Sequence, residues 1–137
     1  GINMTEYTPV QNQRTVDFTV SGCSDTAQFD AGSISIMQDG KLISIDVTLK
    51  NVCPKKRVAL AALLTELDTA GTEQRRGLRC MTVPGQSGDA PADILVQGIR
   101  FVLPEDIALT SGGSRKLRAR FTCHYIDSET SCFSLTV

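Results

Sequence analysis

One imidazole, five thiols and one ordered row of cations are what this chain offers for chemistry. The imidazole is His124, and the thiols are Cys23, Cys53, Cys80, Cys123 and Cys132. A hydrolytic triad needs a nucleophile, a base and an acid that orients the base. Cys123 adjoins His124 in sequence, but neighbours on a strand point to opposite faces, so the two are not expected to work as a pair. A zinc site of thiolates and imidazoles shows paired ligands at short spacing. There is no Cys-x-x-Cys and only one His, so zinc is not expected. No catalytic residue, cofactor or metal is expected.

The row of cations is more specific. Lys116, Arg118 and Arg120 alternate with apolar residues, and His124 lies beyond them. Alternation puts all four on one face of a strand. Arg100, Arg75 and Arg79 would join that face if their strands are neighbours. Such a face could bind an anionic glycan, a cell-wall polymer or a nucleic acid. Its ordinary alternative is a solvated face with acids across the strands, for which Asp46 is one candidate. Aromatic residues do not interleave with the cations, which argues against nucleic acid. Acidic residues gather at the expected turns: Asp25 and Asp30, Glu66 and Asp68, Glu105 and Asp106, Asp127 and Glu129. None has the spacing of an EF-hand loop. A self-made amide from Lys41 or Lys50 would need an Asn or Asp in the last strand, and Cys132–Val137 has neither.

These residues must be positioned by strands. The chain has 137 residues, 41% hydrophobic and only 5% aromatic, with no Trp and a net charge of −1. Its core must be built from Val, Ile, Leu and Ala, and its charge directs it to neither nucleic acid nor membrane. No apolar run reaches the roughly 18 residues that span a bilayer. Residues 1–13 lack periodicity and read as a flexible lead-in to a single β-sandwich domain over 14–137. The leading Gly looks like a tag scar, and the start lacks the basic and apolar regions of a signal peptide.

Val16, Phe18 and Val20 alternate with Asp17 and Thr19, which predicts a strand. Ser21–Asp25 reads as a turn. Ile34 and Ile36, then Asp39-Gly40, then Ile43, Ile45, Val47 and Leu49 predict a hairpin around a primed turn. Asn51-Val52-Cys53-Pro54 ends that strand. Val58–Leu67 is rich in Ala and Leu and fits a helix by propensity. It has no N-cap and runs into the turn 68–71, so a buried central strand is preferred. Glu73–Val83 and Ile94–Leu103 follow, the latter with a bulge expected at Gly98. The stretch 110–114 is a flexible connection. Lys116–Ile126 alternates with Leu117, Ala119, Phe121, Cys123 and Tyr125 inward. Cys132–Val137 is read as the last strand. Eight strands separated by turns predict an antiparallel β-sandwich, immunoglobulin-like in style. Cysteines in it are either disulfide-bonded or buried as small hydrophobes. Cys23 and Cys132 would meet only if the terminal strands are neighbours.

Four stretches carry a resemblance. They are Asn51-Val52-Cys53-Pro54 leading into Arg57-Val58-Ala59; Leu64-Thr65-Glu66-Leu67-Asp68; Phe101-Val102-Leu103-Pro104-Glu105-Asp106; and Ala119-Arg120-Phe121 with His124-Tyr125-Ile126-Asp127. Together, over residues 43–127, they resemble a β-rich module of large secreted and cell-surface proteins of Firmicutes. Such modules often carry a Cys in the strand before the Phe-Val-Leu-Pro motif, where this chain reads Val96-Gln97-Gly98-Ile99. The resemblance implies an extracellular, surface-associated module with no assigned chemistry. It would serve in spacing, adhesion or assembly, with other modules or surface proteins as partners. The alternative is a binding module for an anionic glycan or wall polymer through Lys116, Arg118, Arg120, His124 and Arg100.

Overall fold

The computed structural model describes residues 12–21, 26–105, 114–127 and 135–137. Among these there is no helix, and the eight strands are β1 (Gln13–Val20), β2 (Thr26–Ala31), β3 (Ile34–Asp39), β4 (Leu42–Val52), β5 (Val58–Leu67), β6 (Glu73–Val83), β7 (Ala92–Val102) and β8 (Arg115–Tyr125). They form two four-stranded antiparallel sheets, ordered β1-β8-β5-β6 and β2-β3-β4-β7. The architecture is an all-β sandwich. Its order differs from that of immunoglobulin domains, whose first two strands are neighbours; here β1 pairs with β8.

Alternation sets which side chains meet between the layers. Ile34, Ile36, Ile43 and Ile45 of the second sheet are fully buried, as are Leu64, Leu117 and Cys123 of the first. Each buried aliphatic side chain contributes about 1.5–3 kcal/mol. β5 is a strand, paired along its length with β6 and β8. Its central place explains the helix-like composition: both flanks are covered, so Ala and Leu suit it whatever their propensity.

The turns refine two expectations. Asp39 pairs with Leu42, so the turn residues are Gly40 and Lys41 rather than Asp39 and Gly40. Gly40 has φ 60° and Lys41 is not in the left-handed region, the pattern of a II′ turn with Gly first. The turn before it repeats this with Gly32 (φ 64°) and Ser33 between paired Ala31 and Ile34. That first turn and β2 were not predicted, because Thr26–Ala31 contains only one large apolar residue, Phe29. The expected bulge is present: pairing of β4 with β7 slips between Ile45 and Val47, and Gly98 (φ 77°) donates its N–H to Asp46 Oδ1 at 3.0 Å.

The chain ends differ from the sequence reading. β1 starts at Gln13, inside the supposed lead-in, whose residues 1–11 lie outside the described residues. Ser21 is not in a strand, and the rest of its predicted turn, 22–25, is also outside them, as are 110–113 of the connection. Of the predicted last strand, 135–137 make only an isolated bridge, Lys50 to Thr136, and 132–134 are outside the described residues.

Arginines clip the open sides of the sandwich. Arg14 of β1 donates to Ser33 Oγ at 3.0 Å across the layers. On the other side Arg79 of β6 stacks 4.8 Å from the Phe101 ring centre and donates through Nε to the Arg100 carbonyl at 3.0 Å. Arg79 thus covers an edge carbonyl of β7 that would otherwise be open to another strand.

Candidate functional site

The predicted cation row lies on the outer face of the first sheet. The register places Thr19, Lys116, Leu67 and Glu73 in one row across it, and Asp17, Arg118, Thr65 and Arg75 in the next. The acids across the strands are Asp17 and Glu73. Arg118 grips Asp17 with two bonds, Nε to Oδ1 at 2.7 Å and Nη2 to Oδ2 at 3.0 Å. Arg120 grips Glu73 through Nη2 at 2.7 Å and Nε at 3.3 Å. Thr65 donates its hydroxyl to Glu73 at 2.7 Å. The Arg120 and Thr65 bonds hold the Glu73 carboxyl at about 2, well below its usual range. The Arg118 bond holds that of Asp17 below its own.

The remaining predicted members separate. Lys116 and Arg75 share this face and make no hydrogen bond or ion pair among the described residues. His124 is exposed on the same strand, its Nδ1 3.1 Å from Asn12 Nδ2. Arg100 does not join them: it is on β7, in the other sheet, opposite Ser44. Arg79 falls on the inward parity of β6 and caps the edge. Asp46 is not a partner of the row either, because it lies in the second sheet and holds the Gly98 bulge. Sequence alternation orders residues along one strand and carries no information on which strands share a sheet.

A buried ionic centre was not foreseen. Glu66, grouped above with turn acids, is inside β5 and fully buried. Arg115 donates to it through Nε at 2.8 Å and Nη2 at 2.7 Å, and Arg76 through Nε at 2.8 Å. Arg115 also donates to the Pro104 carbonyl at 2.9 Å. Burial alone would raise the Glu66 carboxyl, but the bonds from Arg115 and Arg76 outweigh it and hold it below its usual value. The signal was present: Val58, Leu60, Ala62 and Leu64 are inward, so Glu66 is next on that parity, as Arg115 is before Leu117. The centre joins β5, β6 and β8 and reaches Pro104 just after β7. Asp30, another supposed turn acid, is in β2.

The thiols divide by environment. Cys123 is fully buried, and burial pushes it up to about 11, which makes it a poor nucleophile. Cys53 is disulfide-bonded, with its partner outside the described residues. Its N–H donates to the Tyr125 hydroxyl at 2.9 Å. Cys80 is free and exposed on β6, beside a shallow hollow of about 360 Å³ that His124 also lines. Their backbones are separated by β5 and by one row of the register, about 10 Å or more by strand spacing, and no hydrogen bond joins the two side chains. A nucleophile and its base need about 3 Å. Among the described residues no three His, Cys, Asp or Glu gather as a metal site.

Geometry therefore supplies a sheet face whose Arg118 and Arg120 are matched by acids, a buried ionic clamp and no assembled catalytic group among the described residues. Residues 34–132 match the family CsxB, exosporium protein B. The chain belongs to this family. The match covers all strands from β3 to β8, including the clamp and the cation row. It makes the chain a surface protein of the spore, in line with the surface association implied by the four sequence stretches. No curated protein matches the chain.

Proposed function

We propose that this protein is a non-enzymatic building element of the exosporium, positioned and held by contacts with other surface proteins. The observation that carries the reading is its membership of the exosporium protein B family over residues 34–132. The geometry supports it. The Glu66 carboxylate is fully buried and bonded by Arg115 and Arg76 where β5, β6 and β8 meet, an arrangement suited to stabilising the sandwich. The exposed His124 and Cys80 lie on β8 and β6, with β5 between them, and make no hydrogen bond to each other.

Binding of an anionic polymer would ask Arg118 and Arg120 to exchange Asp17 and Glu73 for a ligand, so the geometry favours assembly over that use. Antibodies raised against the folded chain are expected to label intact spores. Label confined to broken cells would refute a surface role. Loss of the protein should alter the outer spore layer in thin-section electron microscopy and leave germination chemistry unchanged.

A further inference from the structure

Among the described residues, the two outer faces of the sandwich carry opposite unmatched charge. On the first sheet, Arg118 and Arg120 are matched by Asp17 and Glu73, which leaves Lys116 and Arg75 as two unmatched cations. On the second sheet, Lys50 and Asp93 pair at 3.3 Å. Asp30, Asp39 and Asp46 then stand against Arg100 alone, a surplus of two negative charges. None of these three acids meets a cation among the described residues. Among the described residues of the two sheets, the unmatched charge therefore lies on opposite sides, in a chain whose net charge is −1.

The same faces carry apolar groups. The second sheet exposes Met37 at 54%, Leu95 at 54% and Val102 at 70%, and the first exposes Leu78 at 41%. These are four of the five large apolar side chains exposed among the described residues. A shallow hollow of about 560 Å³ lies over the second sheet between Gln28, Met37, Ser44 and Arg100.

We infer that the acidic outer face of one copy stacks on the basic outer face of the next, so that the occupant of each face is a second copy of this chain. The contact is head-to-tail and does not close on itself, so it propagates. Twisted sheets pack face to face about 10 Å apart with strands nearly aligned, and the outer faces have the same twist as the inner ones. Four strands at about 4.8 Å spacing, averaging about 8–10 residues in each sheet, cover roughly 500–650 Å² per face. Two faces then bury about 1,000–1,300 Å², the low end for a specific contact. One contact is weak, and an array multiplies it. The inference rests on the building role proposed above and specifies its partner.

The test uses the purified chain in sedimentation velocity across protein and salt concentration. The wild type is expected to associate reversibly at low salt and to dissociate toward 1 M salt, where the screening length falls to about 3 Å. Lys116→Glu with Arg75→Glu, and separately Asp30→Lys with Asp39→Lys, should each weaken association by about tenfold. Asp46 is left intact because it holds the Gly98 bulge. All four sites are exposed, and circular dichroism confirms folding of each variant. Mixing the two double variants should restore association, since each then meets a complementary face. A wild type that stays monomeric, variants that associate as before, or a mixture that does not recover would each overturn the inference. A closed dimer unaffected by mixing would reveal a like-face contact and overturn it too. A monomer that still labels intact spores would overturn the stacking and leave the surface role standing.

Discussion

Removing the carboxylate of Glu66 is the sharpest perturbation the structure offers. Glu66→Ala leaves the Arg115 and Arg76 guanidiniums in place, with side-chain exposures of only 8% and 16%. Three charge-assisted bonds of 2.7–2.8 Å disappear, while Arg115 keeps the Pro104 carbonyl as an acceptor and Arg76 keeps none among the described residues. Breaking a buried pair from one side costs about 3–5 kcal/mol, because an unpaired charge remains in a medium that solvates it poorly. For a chain of this length 1 kcal/mol moves Tm by roughly 3–4 °C. The expected loss is therefore about 9–20 °C, read by far-UV circular dichroism because the chain has no Trp. Removing all three charges together, as Glu66→Leu, Arg115→Met and Arg76→Leu, should restore stability to near or above the wild type. A fall below about 3 °C in the single variant, or a triple variant no better than the single one, would refute the assignment of Glu66 as a buried, fully paired anion.

Other outcomes follow from separate features. An ideal Cβ on Gly77 would lie 2.8 Å from Cδ1 of the buried Phe101. Gly77→Ala should then cost about 1–3 kcal/mol by overpacking, measured by urea unfolding, and an unchanged midpoint would contradict it. Thiol labelling of the native protein at neutral pH followed by peptide mapping should modify Cys80 and spare Cys123; the reverse order would overturn the thiol environments. Glu73 titrates at about 2 when folded against an ordinary 4.5, so its contribution is present above about 4.5 and is lost as pH falls toward 2. The thermal midpoint should drop over that interval, and Glu73→Gln should flatten the drop; equal slopes in the two proteins would count against the Arg120 pair.

The sequence by itself determined the local order. Period-two alternation from Lys116 to Tyr125 fixed which residues are core and which are solvent, since a strand's side chains have only two directions. The bulge was legible from a Gly inside a strand, and the strand Glu73–Val83 from the turn at 68–71 that leads into it. Weak alternation hid β2, where Phe29 stands nearly alone among small and polar residues.

Partnership between strands was decided only by the tertiary structure. Lys116, Arg118 and Arg120 were recognised as one row, but their acids proved to be Asp17 and Glu73, 101 and 47 residues from the arginines they meet. Arg100, apparently a fourth cation, belongs to the opposite sheet. In the sequence Glu66 groups with the turn acids and Arg115 does not stand out, although each sits on an apolar parity that β5 and β8 bring together. The reason is physical. Backbone sterics and side-chain direction act over a few residues, whereas charge pairing depends on which strands lie about 4.8 Å apart. That proximity is chosen by burial of the whole core, and no single segment encodes it.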